Sequence, residues 1–177
     1  MTELDTAWWV HTNPQVTVRL ALPEELETVG QVLERAYETS YGIDDNYRAE
    51  LHRLGEAWAG LGDIWVAVRE GRIAGAIVTP VVGQPQNFVR DPPEPELGFR
   101  QLGVDPSERG AGVAHALLAH VVRLANERGI HYVDLYTQTR MEQAQRLYRS
   151  LGFVRAPDRD WFVPDTDHEL LAHILAI

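Results

Sequence analysis

Residues 96–129 place a strand, a turn with two glycines and an amphipathic helix in direct succession, and that order sharply limits the folds the chain can adopt. The strand reads ELGFRQLGV, Asp105-Pro106 ends it, and Arg109-Gly110-Ala111-Gly112-Val113-Ala114 leads into the helix. Val113, Ala116, Leu117, Val121 and Leu124 recur at helical spacing, and Gly129 stands where such a helix ends. A strand that feeds a helix through glycines aims free backbone N–H groups and the positive end of the helix dipole at one point, which suits an anion. Gly110 and Gly112 let a ligand approach the backbone with no Cβ in the way, and Arg109 adds a guanidinium at the rim.

Nucleotide-binding loops built on the same plan fit less well. A triphosphate loop needs Lys and then Ser or Thr after its last glycine, where Val113-Ala114-His115 stand. A dinucleotide fingerprint needs a third glycine at the position of His115, and here the unit lies mid-chain after a hairpin. A nicotinamide-binding oxidoreductase is therefore the remote alternative.

Around this unit, residues 16–21 alternate as a strand, and Pro23 with Glu24 and Glu25 opens a helix with its apolar stripe on Leu26, Val29, Leu33 and Ala36. Tyr47, Leu51, Leu54 and Trp58 predict one further helix. Residues 64–68 and 73–82 predict a hairpin closed by Glu70-Gly71, and residues 83–95 a long surface loop. Residues 130–137 read as a strand, 141–151 as a helix and 169–175 as a last strand. The expected fold is α/β of mixed α+β type: a central, mostly antiparallel sheet of about seven strands flanked by four helices. Residues 1–15, with Trp8 and Trp9, are expected to form an arm docked on a single domain of residues 16–177.

Sixteen basic against twenty-six acidic residues give a formal net charge of −10, a field that repels nucleic acid and anionic lipid and favours a cationic ligand. There is no cysteine, which excludes disulfides, thiolate metal sites and a Cys nucleophile. The seven histidines show no ligand spacing, so no metal is expected. No stretch approaches the roughly 20 apolar residues of a membrane span, and MTELDTAWWV lacks a basic and apolar leader, so a cytoplasmic location is expected.

The segment 109–114 resembles the acyl-CoA signature of the GCN5-related N-acetyltransferase (GNAT) superfamily. LGVDP at residues 102–106 and AQRLYRSLGF at residues 144–153 resemble that family's flanking blocks. The resemblance departs at Met141, where many relatives carry Asn, so one polar cofactor contact is expected to be missing or supplied by Arg140. It implies that two strands splay apart near Val104 and Thr137. It also implies that acetyl-CoA binds with its pantetheine arm along Leu102, Gly103 and Val104 and its pyrophosphate on Arg109, Gly110, Ala111, Gly112, Val113 and Ala114.

Only Ser40, Ser107 and Ser150 are present and none sits in a nucleophile elbow, so direct attack by a substrate amine is expected rather than an acyl-enzyme. The resemblance implies the Val104 N–H as oxyanion donor and Tyr148 as the acid that protonates the leaving thiolate. Glu96 is the first choice for the base, with Asp134 and His131 in reserve. Trp161 is read either as an acceptor-pocket residue or as core. The acceptor is expected to be an amine of a small molecule or peptide, and the chain a monomer or homodimer. A non-catalytic acyl-CoA-binding sensor of the same fold is the alternative.

Overall fold

The computed structural model describes residues 7–81, 94–164 and 166–177. The expected surface loop of residues 83–95 lies almost wholly outside the described residues. Strand β1 (Val16–Leu20) leads to helices α1 (Leu26–Tyr41), α2 (Asp45–His52) and α3 (Leu54–Ala57). Strands β2 (Gly62–Arg69) and β3 (Arg72–Pro80) follow as an antiparallel hairpin. Its turn residues Glu70 and Gly71 both have positive φ, 50° and 72°, the backbone twist that suits a two-residue hairpin. The remainder comprises β4 (Glu96–Gly98), β5 (Arg100–Val104), α4 (Val113–Glu127), β6 (Tyr132–Gln138), α5 (Glu142–Ser150), β7 (Val154–Arg155), β8 (Trp161–Phe162) and β9 (Glu169–Ala176).

The class is the expected one, with nine strands and five α-helices among the described residues rather than about seven and four. Three breaks account for the difference. The expected second helix jogs at Arg53 (φ −106°), which keeps Leu54 buried while Gly55 slides under Leu26. Residues 153–162 form two short ladders on β9. The expected strand of residues 96–104 is interrupted at Phe99 because its halves have different partners. β4 runs parallel to β6, with Gly98 opposite Asp134, whereas β5 is antiparallel to β3, with Val104 opposite Gly75.

The strands therefore form two sheets, ordered β1-β2-β3-β5 and β4-β6-β9-β7 with β8 on β9, joined through Phe99. Val29, Leu33, Leu51 and Leu54 cover one face, packing on Val66, Ala76 and Val78. Leu117, Leu118 and Val121 of α4 cover the other with Ala67, Ala74 and Ile77. Gly103 admits the close approach of α1, since a Cβ there would sit 2.7 Å from Leu33 Cδ2 and 3.1 Å from Ala36 Cβ. Past Phe99 the edges of β5 and β6 diverge, and the opening between them holds the site.

Candidate active site

Two cavities lie at this opening. The first, about 400 Å³, is walled by Ala36, Tyr37 and Ser40 of α1, by Leu102, Gly103 and Val104 of β5, and by the glycine turn and Tyr148. Of the nine residues expected to bind the cofactor, eight line it; Ala111 alone does not. The Asp105 N–H donates to Ala74 O (2.8 Å), and strand alternation then turns the N–H groups of Val104 and Leu102 away from β3, toward the open edge. Gly112 stands at the helix start with φ 77°, and Gly110 has φ 79°, left-handed values that a side chain would strain. Arg109 lines the cavity but reaches across it, donating to Ser40 Oγ (2.8 Å) and Ala36 O (3.4 Å) of α1.

Met141 lines the first cavity too, and its Sδ accepts from the Gln138 N–H at 3.3 Å. Arg140, the expected substitute for the missing Asn, does not line the first cavity. Its guanidinium donates to Tyr41 O (2.9 Å) at the end of α1 and to Gln138 Oε1 (2.9 Å). Of this helix, Gln143 and Tyr148 are the polar residues that line the first cavity.

Tyr148 is 5% exposed, on the inward face of α5. Phe99 and Phe153 meet its ring edge-on at 5.8 and 5.7 Å. Burial pushes its phenol well above the ordinary range, so it carries its proton at neutral pH.

The second cavity, about 440 Å³, opens on the other side and shares Tyr37, Tyr41 and Met141 with the first. Asp134 and Tyr136 of β6 line it together with Phe99, Arg100 and Glu50. Alternation along β6 sends Val133 and Leu135 into the core and Asp134 to the opposite face. Asp134 is 7% exposed, and burial first, then the nearby Glu96 carboxylate, push it up from an ordinary 3.8 to about 7. Burial also raises Glu50 and lowers Arg100. The Arg100 guanidinium lies 5.9 Å from the Trp58 ring centre.

Glu96, the sequence's first choice for the base, lines neither cavity. Only 5% of its side chain is open, and Arg159 donates to its Oε1 at 2.6 Å. The structure thus sets Glu96 near Asp134, paired with Arg159 and away from both cavity walls. His131 is exposed and Trp161 half-buried, and neither lines these cavities. Asp134 alternates out of phase with the core residues Val133 and Leu135, and that phase is the one sequence signal that could have raised it above Glu96.

The acetyltransferase (GNAT) family model matches residues 26–153, well over half of the chain, and the chain belongs to that family. Mycothiol acetyltransferase from Acidothermus cellulolyticus is 32% identical over 119 residues, covering 64% of this chain and 35% of the relative. The chain spans about a third of the length of the mycothiol acetyltransferases it matches first. Among solved structures, a GNAT-family acetyltransferase from Staphylococcus aureus Mu50 superposes with a TM-score of 0.67 at 16% identity, over 91% of this chain and 98% of that one. PaiA N-acetyltransferase from Thermoplasma acidophilum, solved with coenzyme A, gives 0.66 at 14% identity, over 89% and 97%. At these identities the two structures are alike in fold.

The pH behaviour of Asp134 can be read from stability alone. A carboxyl near 7 in the folded chain and near 3.8 unfolded keeps a proton that the unfolded chain releases, so its ionisation costs stability as pH rises from about 4 to 7. Asp134→Asn removes that cost. Urea unfolding is expected to show the variant gaining on the parent between pH 4.5 and pH 8, by on the order of 4 kcal/mol at most. An equal difference at both pH values would put Asp134 back at its ordinary pKa.

Proposed function

We propose that this chain transfers an acetyl group from acetyl-CoA directly to a primary amine. The observation that carries the reading is the meeting of two cavities at the open edge of β5: one floored by the glycine turn, the other by Asp134. Residues 16–177 act as one catalytic domain with residues 1–15 as an arm on it, and a cytoplasmic location goes with this reading. The acceptor is an amine of a small molecule or peptide, which the net charge of −10 favours over nucleic acid. Monomer and homodimer are equally compatible with this chemistry.

Acetyl-CoA, when bound, supplies the thioester. The amides of residues 109–114 that line the cavity, Ala111 excepted, hold its pyrophosphate, and Leu102 and Val104 offer the free N–H groups of β5 to the pantetheine arm as an added strand would take them. Asp134 accepts a proton from the acceptor ammonium, directly or through water, and the freed amine attacks the thioester carbonyl. The Val104 N–H stabilises the oxyanion. As the C–S bond breaks, Tyr148 gives its phenolic proton to the departing thiolate. The attacking nitrogen, positively charged once the C–N bond has formed, sheds its second proton to solvent, Tyr148 regains one from solvent or from the proton held on Asp134, and the products are an amide and CoA.

Acetyl-CoA at about 100 times its Kd is expected to stabilise the fold by about 2.7 kcal/mol, seen as a raised Tm, whereas NAD and ATP do far less. Gly112→Asp puts a side chain and a negative charge into the cradle and is expected to abolish that shift; undiminished binding would remove the pyrophosphate from this turn.

With an amine panel read by thiol release, kcat/KM is expected to rise with pH through about 7 as Asp134 loses its proton. In Asp134→Asn that inflection disappears along with most of the rate. A retained inflection would assign the base elsewhere.

Tyr148→Phe isolates the phenolic proton. Single-turnover acetyl transfer is expected to fall by roughly ten- to ten-thousand-fold with acetyl-CoA affinity preserved. Unchanged chemistry at saturating substrates would leave Tyr148 a packing residue.

A further inference from the structure

The described part of the arm does not merely rest on the domain; it grips the glycine turn and the helix that follows. Trp9 O accepts from Arg123 Nη1 at 2.9 Å, Trp8 O lies 2.8 Å from His115 Nε2, and the Trp8 ring is 5.2 Å from the His115 ring. Asn13 then makes the one side-chain hydrogen bond described to the middle of the turn, its Nδ2 donating to Ala111 O at 2.8 Å. The amide orientation is set by its other end, because Asn13 Oδ1 accepts from the Gln15 N–H at 2.9 Å. Asn13 O also accepts from the Val16 N–H (3.0 Å), which ties the bend to the start of β1.

The Ala111–Gly112 peptide ends in a glycine of left-handed conformation, and the backbone bonds of the turn, Ala111 N–H to Glu108 O (3.4 Å) and Ala116 N–H to Gly112 O (2.9 Å), hold the peptides on either side of it rather than this one. In a trans peptide the C=O and the following N–H point in opposite directions. Asn13 holds Ala111 O on the arm's side, and Ala111 is the one turn residue absent from the cavity wall, whereas Gly112 lines it. Fixing the carbonyl outward therefore fixes the Gly112 N–H inward, toward the cavity.

We propose that residues 8–13 form a strap that sets the anion-binding amides of the glycine turn, with Asn13 as its positioning residue. The strap acts through the peptide plane and touches no reacting atom. It rests on the reading of the turn as the pyrophosphate site, and it makes the arm part of what distinguishes CoA from a shorter pantetheine thioester.

Calorimetric titration of the 177-residue chain with acetyl-CoA and with S-acetyl-pantetheine, which lacks the pyrophosphate and nucleotide, tests this. The readout is the ratio of the two dissociation constants, which general loss of stability would not move. Asn13→Ala and the isosteric Asn13→Asp are each expected to lower the preference for acetyl-CoA about ten-fold, the size of one net hydrogen bond. Aspartate keeps the acceptor for Gln15 but turns the donor into an oxygen facing Ala111 O, so its shape alone cannot rescue the preference. Arg123→Ala loosens the strap at Trp9, away from the turn, and is expected to shift the ratio in the same direction by less. A parent that prefers acetyl-CoA, with Asn13 variants that keep its full preference, overturns the strap alone. A parent that binds both donors equally overturns the pyrophosphate reading and the strap with it.

Discussion

Everything in the site depends on one change of partner within a single extended run. Up to Gly98 the chain pairs with β6, and from Arg100 it pairs with β3, so the two strands that would otherwise close one sheet leave an open edge between them. Unpaired backbone groups inside a protein are costly unless something else meets them. An edge turned into a cavity, with Leu102 and Val104 facing it, is a backbone surface suited to pairing with a ligand. Just past the break, at the start of β5, the backbone is strained. Gln101 sits at φ 51°, unusual for a residue with a side chain, and its amide is clamped between Trp58 Nε1 (2.8 Å) and Glu50 Oε1 (3.2 Å). Glu50 of α2 and Trp58, just past α3, thus hold Gln101 in this conformation as well as lining the second cavity.

What could be read from the sequence was local. The glycine turn, the helix after it, the Glu70-Gly71 hairpin and Tyr148 on the inner face of α5 each follow from spacing or from a short motif, and each stands where expected. What could not be read depends on pairing between distant segments. That residues 96–104 would divide at Phe99 follows from β3 and β6 competing for one run, and a period-two pattern does not reveal which partner each half takes. Glu96 looked more available than Asp134 because nothing near it in sequence pointed to Arg159, whose guanidinium arrives from 63 residues away. Asn13 and Ala111 are 98 residues apart, and an asparagine before a strand reads as a turn residue and nothing more.

The charges follow from the same architecture. Direct transfer to an amine needs a base that is partly ionised near neutral pH and an acid that is not, and a buried site favours the neutral form of both. Tyr148 achieves this by burial among aromatic rings, which only moves it further from ionisation. Asp134 needs finer placing, because burial and the Glu96 charge push it up while Arg159 and Arg100 pull it down. Glu96 and Arg159 are bound to each other at 2.6 Å, so their opposing effects on Asp134 largely offset, and burial leads. The ion pair that engages Glu96 away from the second cavity is thereby part of what holds Asp134 near 7. Removing Arg159 alone would leave the Glu96 charge unopposed and drive Asp134 higher, whereas removing Glu96 alone would let it fall, so the two positions act on the carboxyl proposed as base in opposite directions without lining its cavity.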